Sequence, residues 1–74
     1  MLVMLSTLHL ECLKHNMDWY MVDGFLRNFD NKCNDYGNNE ELHFRIFRQI
    51  SYVIFNYKDV IWLDNFTENI KISS

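Results

Sequence analysis

Three side chains able to ligate a metal or act as nucleophiles stand at intervals of three near the start of the chain, His9, Cys12 and His15, with Cys33 and His43 further on. These are ligand types that zinc accepts, and a thiol beside an imidazole is the pairing that activates a cysteine nucleophile. The spacing works against both chemistries. On a regular helix each step of three turns the side chain back by about 60°, so His9 and His15 diverge by about 120° and do not converge on one ion. No CxxC or HxxxH pair is present. Cys12, His15 and Cys33 instead share an apolar stripe, where cysteine behaves as a small hydrophobe and histidine bonds to a neighbour. Core packing is their expected role, with no metal and no cofactor; a small metal-binding protein using Cys12, His15 and Cys33 is the second alternative function.

Other chemical constellations are weaker. Glu40 and Glu41 fall where a helix would begin, and carboxylates in a first turn favour the helix dipole rather than form an acid-base couple. Gly24 and Gly37, the two glycines, are isolated and match no phosphate-cradling pattern. A catalytic pocket usually occupies hundreds of Å³, and a domain this small has little volume to spare. The chain is therefore not expected to be an enzyme.

The aromatic residues carry more information, because rigid rings supply both core mass and interface hot spots. Trp19, Phe29, Phe47 and Tyr57 lie on apolar stripes and are expected inside. Tyr20, Phe25, Phe44, Phe55, Trp62 and Phe66 fall beside or off the stripes and are candidates for binding a partner. Arg45 and Arg48 interrupt the apolar segment Phe44 to Leu63 and are candidates for the rim of that interface, although solvated charge is the commoner fate of such residues.

The elements that must hold these residues follow from periodicity. Leu5, Leu8, Cys12, His15, Trp19, Val22, Leu26, Phe29 and Cys33 alternate spacings of three and four, the helical period. Asp23 and Arg27 form an i,i+4 pair on the outward face. Downstream, Phe47, Ile50, Ile54, Tyr57 and Ile61 repeat the spacing. Between the two stripes, Asn34-Asp35-Tyr36-Gly37-Asn38-Asn39 joins residues of high turn preference to a glycine suited to positive φ, which places the inter-helix loop at 34–39. Asn38 or Asn39 can cap the second helix. Asn16-Met17-Asp18 offers a break in the first stripe, since Asp18 is a good N-cap, and makes three helices an option. The run 52–63 also reads as strand, turn, strand from its β-branched and aromatic content. The fold class expected is all-α, a helical hairpin or three-helix unit completed by dimerisation; the alternative is α+β with a C-terminal hairpin at 52–63.

Length and composition set the frame. The 74 residues form one small domain, with residues 70–74 expected to fray. A hydrophobic share of 49% and an aromatic share of 16% are a large apolar load for so little volume, and surplus apolar surface on a small protein marks association. Met1 to Leu13 is apolar but lacks a basic n-region and a small-residue cleavage site, so it reads as part of the fold. The stretch Phe44 to Leu63 carries Arg45, Arg48, Lys58 and Asp59, against a membrane span. Two cysteines without an export signal suggest reduced thiols and a cytoplasmic location. A net charge of −3 disfavours direct nucleic-acid binding. Nine asparagines suit an AT-rich gene, of the kind phages and plasmids carry.

The function these features point to is a small regulatory or inhibitory adaptor that binds a protein through an aromatic-rich helical surface, as a negative regulator of a transcription factor or host factor encoded by a mobile element. A charged counterpart of that idea, an acidic mimic or antagonist of a nucleic-acid-binding protein, is the first alternative, motivated by ten carboxylates against seven cations. A homodimer is the expected assembly.

Overall fold

In a computed structural model, which describes the backbone of residues 2–73 and the side chains of 4–71, the chain forms four helices. These are α1 (Leu2–Lys14), α2 (Trp19–Asp35), α3 (Glu40–Ile54) and α4 (Val60–Ser73). Consecutive helices pack on one another and α1 also touches α4, so the four enclose a shared core. Each helix contributes at least one fully buried side chain: Leu8 from α1, Val22 and Phe29 from α2, Phe47 from α3 and Leu63 from α4. Burying each such side chain contributes roughly 1.5–3 kcal/mol, and together they order a chain this short.

The starts of α2, α3 and α4 each have a local cause. The Asp18 carboxylate accepts the Tyr20 N–H at 3.0 Å, Asn39 Oδ1 accepts the Leu42 N–H at 3.1 Å, and Asp59 Oδ1 accepts the Trp62 N–H at 2.9 Å. Each of these oxygens satisfies a donor that the first turn leaves unpaired. Glu40 and Glu41 occupy the first turn of α3, where the dipole favours them.

The ends of α1, α2 and α3 are equally specific. At the end of α1 the Asn16 N–H reaches Leu13 O and the Met17 N–H reaches Cys12 O, both at 3.2 Å. At the end of α3 the Asn56 N–H reaches Val53 O at 3.1 Å and the Tyr57 N–H reaches Tyr52 O at 3.0 Å. Both are the paired back-bonds of a Schellman close, which needs a left-handed residue. Asn16 supplies it at φ 52° and Asn56 at φ 57°. At the end of α2, Gly37 takes φ 64°. There the buried His43 ring donates its Nε2–H to Cys33 O at 3.2 Å, satisfying a carbonyl of the last turn of α2 from the neighbouring helix.

Two expectations change. The 52–63 region is not a hairpin: Tyr52 to Ile54 end α3 and residues 60–63 begin α4, with a turn between. Propensity for strand yields here to packing, because Ile54, Phe55 and Leu63 are all buried in the helical core. The two long stripes are four helices rather than two or three, because Asn16–Asp18 and Asn56–Asp59 each stop one helix and cap the next. The tail expected to fray from residue 70 begins inside α4, with Ile70 buried in the core; Ser74 and the side chains of 72–74 lie outside the described residues.

Candidate functional site

The residues with the richest chemical repertoire are dispersed. Cys12 and Cys33 are free thiols buried in the core. Burial, reinforced by the neighbouring Glu11 charge, pushes the Cys12 thiol from its ordinary 9.0 to about 11, and burial raises Cys33 as well. Both shifts disfavour the thiolate that nucleophilic attack or metal ligation requires. His9 packs on Trp19 with ring centroids 4.5 Å apart, and His43 is engaged with Cys33 O. Among the described residues, no three His, Cys, Asp or Glu side chains come together as a metal site. Serine and threonine hydroxyls in the core are spent within their helices: Ser51 donates to Phe47 O at 2.8 Å and Thr67 to Leu63 O at 3.0 Å.

The aromatic candidates divide sharply. Phe44 and Phe55 are buried, and Phe25, Trp62 and Phe66 are half-buried against the core. Phe55, Trp62 and Phe66 form one cluster, in which Trp62 and Phe66 stack at 5.2 Å and the Phe55 ring meets Trp62 edge-on, also at 5.2 Å. Phe44 touches Phe47 at 6.4 Å, with the Lys71 ammonium 4.8 Å above its ring. Of the six, Tyr20 alone is fully displayed, at 93% exposure. Three rings expected inside are outside instead: Trp19 is 45% and Tyr57 57% exposed, and His15, expected to pack in the core with Cys12 and Cys33, is exposed. All three stand at or beside a turn, where a stripe drawn through one continuous helix does not fix which side a residue takes.

The two arginines face solvent within ion pairs. Arg45 meets Glu41 at 2.9 Å. Arg48 meets Asp64 at 2.8 Å and donates to the Tyr52 hydroxyl, so it ties α3 to α4. With Lys14 to Glu11 and Arg27 to Asp23, four of the seven cations are paired within the described residues. The carboxylates of Asp18 and Asp59 are occupied as caps.

What the structure assembles, and periodicity did not reveal, is an apolar groove at the end of the molecule where the α1–α2 and α3–α4 turns meet. The turns touch through His15, whose ring lies 5.2 Å from Phe55 and 5.4 Å from Trp62, edge-on to both. Met17, Met21, Val53, Ile54 and Phe55 form its apolar walls, and His15, Asn56 and Lys58 its polar edge, around about 440 Å³. That is within the range of small binding sites. Met21 and Val53 are exposed. Beyond the groove in the chain, Val60 is exposed and Ile61 is 77% exposed. A smaller, more open depression of about 270 Å³ lies between α1 and α2 beside His9 and Arg27.

Tyr57, between the lining residues Asn56 and Lys58, has φ 54°. Asparagine tolerates this left-handed region; a tyrosine there costs about 1–2 kcal/mol. Its ring meets Tyr52 edge-on at 5.5 Å, yet more than half of it stays in solvent. Sequence reasoning had one usable signal for this site. Both turns pair an asparagine with an aspartate two or three positions later, the residue types that end one helix and cap another.

Among the described residues, no helix is long and apolar enough to cross a membrane. No family model, curated protein or solved structure matches the chain.

Proposed function

We propose that this protein is a small protein-binding module, a regulatory or inhibitory adaptor whose docking site is the groove between its two turns. One observation carries the reading: apolar side chains line an open cleft, while among the described residues the thiols are buried and no His, Cys, Asp or Glu cluster forms a metal site. Exposed apolar surface in a concave setting gains most by excluding water with a partner. A protein partner is favoured over nucleic acid, because four of the seven cations are already in ion pairs and a phosphate backbone demands concentrated positive charge. The same groove can be used by a second copy of the chain, giving the homodimer that the composition suggests.

The test compares affinity capture from the native cell extract by the wild-type chain and by Val53→Glu. Val53 is exposed, so the substitution should alter melting by no more than about 0.5 kcal/mol. The expected result is a discrete protein retained by the wild type and lost from the variant. Sedimentation of the purified chain separates self-association, in which the wild type is dimeric and Val53→Glu monomeric. Equal capture by the two forms, with both monomeric, removes the groove from consideration.

A further inference from the structure

The groove also says something about the shape of what fills it, and the inference that follows rests on the docking reading above. A buried peptide backbone must have every N–H and C=O paired. An extended segment obtains those bonds from a strand edge, but the described residues form helices and turns alone, and the groove walls are Met17, Met21, Val53, Ile54 and Phe55. Apolar walls offer such a backbone nothing. A helix satisfies its own backbone and brings only side chains into a cleft, which is how amphipathic helices dock in apolar grooves. Methionines suit that task, since an unbranched thioether repacks around different anchors.

The charge at the rim narrows the choice. Two of the lining residues are ionisable, His15 and Lys58, and neither is a carboxylate. His15 faces Glu11 at 3.4 Å, whereas Lys58 takes part in none of the ion pairs among the described residues. The carboxylates nearest in the chain, Asp18 and Asp59, are turned to backbone N–H groups at the starts of α2 and α4. In a chain with ten acidic side chains, the groove therefore presents an uncommitted cation.

A third observation is independent of both. Tyr57 stands in the chain between the lining residues Asn56 and Lys58, with a left-handed backbone that glycine would adopt freely, and the residue is largely exposed. Strain of this kind persists where the display of a side chain has a use. We propose that the groove receives the apolar face of an amphipathic helix from a partner protein, with an acidic residue on that helix beside Lys58 and the Tyr57 ring as an outer contact.

Two synthetic helical peptides of about 15 residues test this, identical in their leucine face and differing only in whether glutamate or lysine flanks it. Each is titrated at low salt into the isotope-labelled full chain while backbone amide shifts are followed. The expected outcome is saturable shifts at Met17, Met21 and 53–58, with the glutamate peptide bound about 1.5- to 5-fold more tightly, the range of one exposed ion pair. Lys58→Glu should reverse that preference. Tyr57→Gly should raise the melting temperature by a few degrees and yet weaken the glutamate peptide at least about 5-fold, the signature of an interface anchor; a merely structural tyrosine would move only the first. Equal or tighter binding of the lysine peptide, or Tyr57→Gly with undiminished affinity, overturns the inference. So does an absence of saturable shifts with both peptides. In each of these cases groove-dependent capture tested by Val53→Glu still decides the docking reading separately.

Discussion

The α1–α2 and α3–α4 turns end their helices by the same device and differ in what they place around it. In each, an asparagine in the left-handed region lets two N–H groups fold back on the last turn, and an aspartate starts the next helix. Position by position, His15 corresponds to Phe55, Cys12 to Tyr52 and Asp18 to Asp59. The first link uses four residues, 15–18, and the second five, 55–59. The added residue is accommodated by a second left-handed position, Tyr57, closed by the Lys58 N–H on Phe55 O at 3.2 Å. The first turn thus spends its residues on joining helices. The second does that and also holds a tyrosine out in solvent, at a cost in backbone energy.

The largest test of this asymmetry is at the two residues that precede the asparagines and touch each other, His15 and Phe55. Phe55 is buried and meets Trp62 and Phe66, so Phe55→Ala should cost about 3–5 kcal/mol in chemical denaturation. That is comparable with the whole stability of a small domain. His15 is exposed, and His15→Ala should cost about 1 kcal/mol or less. Equal losses would mean that the two turns bear equal weight, and the comparison would fail.

These differences were only partly legible in the sequence. The helical period identified the class, and Leu8, Cys12, Val22, Phe29 and Cys33 on the first stripe are all buried. Their phase survives the turn at 15–18. The second stripe does not keep its phase: read as one helix, Phe47, Ile50, Ile54, Tyr57 and Ile61 share a face, but the double left-handed step at Asn56 and Tyr57 leaves Tyr57 and Ile61 in solvent and turns Leu63, Thr67 and Ile70 inward. Periodicity records spacing along a helix and is blind to the rotation a turn introduces. The groove as a whole was not legible for the same reason, since it is lined from two turns and the helix ends beside them, about 40 residues apart in the chain, which meet through the packing of α1 on α4 and of α2 on α3.

The second test concerns Cys12, whose carbonyl receives the Met17 N–H and whose thiol is buried, against Tyr52 at the matching position, which is half-buried. The folded-state thiol titrates near 11 and the unfolded one near 9.0. Below pH 9 both states hold the proton and the thiol's contribution to stability is fully present. Between 9 and 11 the unfolded chain loses its proton first, so stability falls as pH rises, by about 3 kcal/mol if the shift is fully expressed. Denaturation midpoints of wild type and Cys12→Ala, followed from pH 8 to 11, should converge as the wild type loses this advantage. Parallel curves would show that burial at this position does not hold the proton.

A third, smaller effect asks whether the shared device is shared in energy. Asp18→Ala and Asp59→Ala each remove a carboxylate that accepts a first-turn N–H, and each should cost about 1 kcal/mol. Their losses should match, because cap geometry is local and both sites are exposed. A much greater loss at Asp59 would indicate that the α3–α4 turn depends on its cap to hold Tyr57 in place.

The smallest effect has the opposite sign. Glycine at position 57 removes the left-handed penalty of about 1–2 kcal/mol but gives the unfolded chain more freedom, worth roughly 0.4–1 kcal/mol, and the edge contact with Tyr52 is lost. Tyr57→Gly should therefore stabilise the free protein by about 0.5 kcal/mol. Asn16→Gly, at a residue that already tolerates the conformation, should be close to neutral, because little strain is present to relieve. Thermal melts of the two variants beside the wild type measure this. A gain at 57 without one at 16 shows that the second turn alone holds its backbone away from its preferred state. If Tyr57→Gly is instead destabilising by 1 kcal/mol or more, the tyrosine ring is worth more to the isolated fold than its exposure implies, and its conformation is explained by packing against Tyr52.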